Sequence, residues 1–131
     1  MRCPMIASAL ALAAFCTTGS LAQSPAEQTV TVELSSFKFT PATLTLQHGR
    51  AYRFHLSNTS SGGHNFAAKE FFAASTVATE DRGKIANGKI DIAGGASVDL
   101  RLVPNSARTY KLRCSHFMHS GFGMTGTIVV Q

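Results

Sequence analysis

The sequence predicts an all-β domain: an antiparallel Greek-key β-sandwich or barrel with a short helical or irregular insert around residues 69–82. Three observations predict it. Apolar and polar side chains alternate with a period of two in one short segment after another, which puts the apolar ones on a single face of a strand. Clusters of Gly, Pro, Asn and Ser separate those segments. The composition, with 11 Gly, nine Phe, no Trp and 15% charged residues, leans the same way. A length of 131 residues fits one domain, and 44% hydrophobic residues exclude an extended disordered chain.

Residues 1–22 read as a leader outside that fold. Arg2 supplies a positive start, Met5 to Cys16 an apolar run, and Ser20-Leu21-Ala22 a small-x-small site, so cleavage is expected after Ala22. The run is too short to span a bilayer, and no later stretch approaches the ~18–20 apolar residues a membrane helix needs. Residues 23–131 are therefore expected as a single periplasmic domain with no stable membrane insertion. Acylation at Cys16 is disfavoured by the bulky Phe15 before it. The formal charge is +5, and 11 cations against 7 carboxylates remain once Arg2 is gone. That surplus is small and dispersed along the sequence, so no nucleic-acid partner is expected.

The elements follow in order. Val30, Val32 and Leu34 alternate with Thr31 and Glu33; Leu44 and Leu46 flank Thr45; Tyr52, Phe54 and Leu56 alternate with Arg53 and His55. Ile90 and Ile92 flank Asp91; Val98, Leu100 and Leu102 alternate with Asp99 and Arg101; Tyr110 and Leu112 with Lys111 and Arg113; Ile128 and Val130 close the series. These make seven strands, punctuated by Pro41, Gly49, residues 58–63, Asn87-Gly88, Gly94-Gly95 and Pro104-Asn105. Between the third and fourth, Phe71, Ala74 and Ala78 have helix-like spacing and stop at Gly83, although Thr76, Val77 and Thr79 are mediocre helix formers.

Chemistry concentrates near the end of the chain. Cys3 and Cys16 leave with the leader, so Cys114 is the one cysteine of the domain and a disulfide scaffold is excluded. The simplest reading of such a residue is a buried small hydrophobe. Its neighbours argue for more: the segment joining the last two strands holds Cys114, His116, Met118, His119 and Met124 among glycines. Alternation through Tyr110 and Leu112 turns Cys114 inward at its strand end. A second segment, Gly62-Gly63-His64-Asn65-Phe66, offers another imidazole, with glycines that let the backbone turn closely around it. A thiolate, two imidazoles and a thioether form a soft to borderline donor set that suits copper, whereas zinc gains little from a thioether.

The spacing Cys-x4-His-x4-Met at Cys114, His119 and Met124, with His64-Asn65 fifty residues before Cys114, resembles the cupredoxins, the blue copper proteins that include plastocyanin and azurin. The flanks are similar as well, from Phe39-Thr40-Pro41 through Tyr52 and Phe54 to Gly123-Met124-Thr125-Gly126-Thr127-Ile128, so the resemblance covers residues 28–131. It implies one copper ion per chain, with His64, Cys114 and His119 as equatorial ligands and Met124 as the axial one. Asn65 would tie the two ligand loops together by hydrogen bonding. It also implies a one-electron carrier between redox partner proteins. Phe66, Phe117, Met118 and Phe122 cluster in sequence around the ligands and read either as core packing or as an apolar collar that excludes water and tunes the potential; those that are exposed would make a docking patch around His119. A monomer that is not an enzyme is expected.

Two features depart from that pattern. His116 competes with His119 as the partner of Cys114; His119 is preferred because Gly121 and Gly123 give it and Met124 slack to reach one ion. The insert after His64 has no assigned role. His48 and His55 read as solvated surface residues, Asn58-Thr59-Ser60 as a turn in preference to a glycosylation acceptor, and Glu70, Glu80 and Asp81 as a solvated polar face. An alternative function is copper delivery, storage or tolerance, with His116 and Met118 handing over Cu(I). A thiol enzyme using Cys114 with a histidine base is the weakest alternative, because it explains neither Met124 nor His64.

Overall fold

The computed structural model describes residues 19–20, 26–116 and 124–131. The expected cleavage site after Ala22, and His119 with Phe117, Met118 and Phe122, lie outside the described residues. Among the described residues there are ten strands: β1 (Gln28–Ser35), β2 (Lys38–Thr40), β3 (Thr43–Leu46), β4 (Tyr52–Asn58), β5 (His64–Ala67), β6 (Ser75–Val77), β7 (Lys89–Ile92), β8 (Ser97–Pro104), β9 (Thr109–Arg113) and β10 (Thr125–Val130). They form two five-stranded sheets, β2-β1-β4-β8-β6 and β3-β10-β9-β5-β7.

The alternation read in the sequence decides which side chains meet between the sheets. Val32, Leu34, Phe54, Leu56 and Leu100 from the first sheet, and Phe66, Ile90, Tyr110, Leu112 and Ile128 from the second, are at most 2% exposed. Burying each such side chain is worth about 1.5–3 kcal/mol, and the paired rings Phe54–Phe66 and Phe39–Phe66, with centroids 6.2 and 6.1 Å apart, knit the layers. Two pairings run parallel, β1 with β4 and β3 with β10, because β2 and β3 carry the chain across to the second sheet before β4 returns beside β1.

Three strands had no sequence expectation. β2 and β6 are three residues long, too short for an alternating pattern to register. β5 reads buried, buried, buried, half-buried, because both of its faces are covered, so period-two alternation fails there.

The insert is a composite and not one helix. A single helical turn, α1 (Lys69–Ala73), buries Phe71 and Phe72; β6 then pairs with β8 at the edge of the first sheet, and a 3-10 turn spans Thr79–Lys84. Phe71 stacks against Phe54 and Tyr110 at 5.9 and 5.5 Å, so the segment caps one side of the core while crossing from sheet to sheet. Asp81 departs from the expected solvated face. It is 6% exposed, accepts hydrogen bonds from Lys84 Nζ (2.6 Å) and the Arg101 amide (2.8 Å), and fastens the turn to β8.

Candidate metal centre

The centre is built where β5 and β9 diverge. The two strands pair only at Ala67 and Arg113, and beyond that point Cys114 continues the inward series Tyr110, Leu112, Cys114 with no exposure. His64, the first residue of β5, is 5% exposed and places Nδ1 3.9 Å from Cys114 Sγ. The residue after it closes the gap. The Asn65 amide points at Cys114 Sγ at 3.4 Å, its Oδ1 accepts from the Ser115 amide at 2.8 Å, and its Nδ2 donates to Ser115 Oγ at 2.8 Å and Asp91 Oδ1 at 3.3 Å. Side-chain hydrogen bonds thus replace the ladder bonds that the diverging strands have given up.

The fourth expected donor lies across the same opening. Met124 is fully buried, and its carbonyl accepts the Cys114 amide at 3.1 Å, so both ends of the 114–124 connection are fixed beside each other. The structure thus brings His64, Cys114 and the Met124 backbone to one end of the sandwich. His119 lies outside the described residues. His116 sits at the rim, with a ring centroid 6.5 Å from that of His64, a side chain 39% exposed and Nε2 3.9 Å from Asp91 Oδ1.

The approach to His64 is held by a buried amide. Asn58 is 1% exposed and donates through Nδ2 to the Gly62 and Ile92 carbonyls, both at 2.9 Å, while its Oδ1 accepts from the Ser60 amide and hydroxyl. That is the turn expected of Asn58-Thr59-Ser60. Neither Gly62 nor Gly63 takes a left-handed conformation, and a Cβ added at Gly63 would come into contact with His116 Cε1 at 3.4 Å. Of the peripheral histidines, His48 meets the Gln131 carbonyl at 2.8 Å on the surface. His55 is half-buried and bonded to Asp99 at 2.7 Å, more engaged than a solvated residue.

One contributor escaped the sequence. Phe37 is 43% exposed, the one exposed large apolar side chain among the described residues, and takes a left-handed φ of 58° in the β1–β2 turn. That conformation is uncommon for an aromatic residue. Phe37 shares a shallow depression of about 340 Å³ with Ser60, Ser61, His64 and His116. A three-residue strand follows it, so no periodic signal marked it.

The donor chemistry fits copper. A buried thiol meets a buried imidazole, the buried Met124 is joined to Cys114 through its backbone, and among the described residues no three His, Cys, Asp or Glu side chains gather to hold an ion by themselves. Comparison with known proteins agrees with the architecture. The cupredoxin-like domain family matches residues 6–130. Reduced auracyanin from the photosynthetic bacterium Roseiflexus castenholzii superposes with a TM-score of 0.60 at 15% identity, over 79% of this chain and 97% of that one. Auracyanin B gives 0.57 at 20%, over 83% and 91%. The McoA multicopper oxidase of the hyperthermophile Aquifex aeolicus gives 0.63 at 13%, over 83% of this chain but 30% of that one. No curated protein sequence matches significantly.

Proposed function

Because the chain belongs to the cupredoxin-like domain family, we propose that it is an exported type 1 copper protein that carries one electron at a time between redox partners. His64, Cys114, His119 and Met124 are the proposed ligands of a single copper ion. The observation that carries this reading is the meeting of two buried side chains, His64 and Cys114, with Nδ1 3.9 Å from Sγ inside a hydrogen-bonded frame.

His64, Cys114, His119 and Met124 would hold the ion, and copper bound there would supply a one-electron couple tuned by these donors and by the surroundings of the sulfur. The chain's own part is to keep the donors still. Asn65 fixes the Ser115 backbone and places an amide on the Cys114 sulfur, where it stabilises thiolate charge. Asn58 fixes the approach to His64, and the Cys114–Met124 backbone bond fixes the opposite side. Full burial of Cys114 and Met124 excludes water from their sulfurs. Little then moves when charge changes, which keeps the barrier to electron transfer low. Phe66 is fully buried and belongs to the core, so it supplies no docking surface; Phe37, in the depression beside His64 and His116, is the exposed apolar side chain proposed for partner contact at this end.

A second reading, copper delivery or storage, draws on His116, whose half-exposed ring stands at the rim 6.5 Å from His64. Titration of residues 23–131 with Cu(II), followed by visible absorption and electron paramagnetic resonance, separates the two. An intense thiolate-to-copper band with narrow hyperfine splitting at one equivalent is expected. A pale tetragonal signal, or reduction and retention as Cu(I), would favour copper handling instead.

A further inference from the structure

Cations that are scattered in the sequence are gathered by the fold. Lys69, Lys89, Arg108, Lys111 and Arg113 line one open groove of about 590 Å³ across β5, β7, β9 and the start of α1, with Glu70 as its only carboxylate. The local surplus is four positive charges, in a chain whose formal total is +5. The alternation that turns Tyr110, Leu112 and Cys114 inward turns Lys111 and Arg113 outward.

The opposite sheet treats its charges differently. There Arg53 meets Asp99, Lys84 meets Asp81, and Arg101 meets Glu27 and Glu80. In the groove Arg108 pairs with Glu70 at 3.2 Å and Lys89 approaches Asp91 at 3.9 Å, whereas no ion pair engages Lys69, Lys111 or Arg113 among the described residues. The groove is also held in shape. Gly88 takes φ +75° in the turn before β7, its carbonyl accepts the Ala68 amide at 3.0 Å, and a Cβ there would lie 2.5 Å from that of Lys69. Ser115, bonded to Asn65, forms the end of the groove nearest the candidate centre.

We infer that this face docks an acidic protein surface, and that under the carrier reading, on which this part rests, it is the seat of a redox partner. Charge complementarity selects the occupant. The groove offers five cations but no aromatic side chain on which a nucleic-acid base stacks and no apolar side chain larger than Ala67 to enter a lipid surface. Exposed charges of one sign steer association more than they tighten it, which suits a carrier that must bind and leave quickly. A partner seated here touches Arg113 and Ser115, the two chain neighbours of Cys114.

The test is a titration of the 15N-labelled protein with a short poly-glutamate peptide, read by amide shifts and requiring no copper. Shifts are expected at Lys69, Lys89, Lys111 and Arg113. Lys69→Glu/Lys111→Glu should weaken binding about tenfold or more, and Lys89→Glu alone less, while Lys38→Glu on β2 leaves it unchanged. Raising ionic strength from about 0.01 to about 0.15 M, which shortens the screening length from about 30 to about 8 Å, should weaken it too. Shifts spread evenly over the surface, or equal loss with Lys38→Glu, would overturn the inference. Tighter binding of a single-stranded oligonucleotide or of phosphatidylglycerol vesicles at the same residues would also overturn the assignment to an acidic protein. If the peptide binds as expected but Cu(II) produces no blue centre, the docking face stands and the carrier reading falls.

Discussion

Among the buried polar networks of the described residues, the one around Asn65 and the one around Asp81 differ in what they hold. Asn65 is neutral, fully buried and directed at a chemistry-bearing side chain, with its amide on Cys114 Sγ and its carboxamide on Ser115. Asp81 is charged and directed at structure: Lys84 and the Arg101 backbone. Burial alone therefore does not mark a functional polar residue. The partner at the far end of the hydrogen bond does.

The largest break in the comparison is Cys114→Ser. It should abolish the intense colour of the copper-loaded protein while circular dichroism shows the sandwich intact, because the sulfur and not the fold produces the band. Retained colour would remove Cys114 from the ligand set. Asp81→Asn should do the opposite, lowering stability by about 1.5–3 kcal/mol in denaturant unfolding with the copper spectrum unchanged, since a charge-assisted buried bond is lost far from the centre.

The same residue has a pH signature. The Lys84 hydrogen bond, working against the cost of burial, holds the Asp81 carboxyl below its ordinary 3.8, and the His55 hydrogen bond does the same for Asp99. A carboxylate depressed in the fold contributes stability that is complete above its unfolded value and is lost as pH falls through the folded one. Wild-type stability should therefore drop as pH falls below 3.8, and Asp81→Asn should flatten that drop. An unchanged acid limb would show that Asp81 is paired equally in the unfolded chain.

Smaller effects sharpen the Asn65 side. Asn65→Ala should lower copper affinity about tenfold and broaden the blue band, as expected when a residue that orients ligands is removed. A variant with native affinity would reduce Asn65 to packing. His116→Ala should change the spectrum least, well below His119→Ala, and the reverse order would make His116 the ligand.

Legibility follows the same division. Alternation revealed the long strands, since each buries one face, and it placed Cys114 inward. It missed β5 because His64, Asn65 and Phe66 are all buried. The nearness of His64 and Cys114 was legible because an imidazole and a thiol, together with His119 and Met124, stood out as an unusual donor combination in order along the chain. Asp81 was not, because its burial depends on β8 passing above it, and a carboxylate beside a lysine three residues on looks like any exposed helical pair. The groove was illegible for a related reason: its cations come from residues 69 to 113 and converge only once β5, β7 and β9 are side by side.

The strand order has one more consequence. Each sheet ends on short strands, β2 and β6 of three residues in one, β3 and β7 of four in the other, while the eight-residue β1 and β8 lie inside. Unsatisfied main-chain groups at a sheet border are the template on which a second chain polymerises. With only three or four residues at each border, the described sandwich presents little main chain for a second copy to extend, so its edges resist strand-by-strand growth without a covering helix or loop.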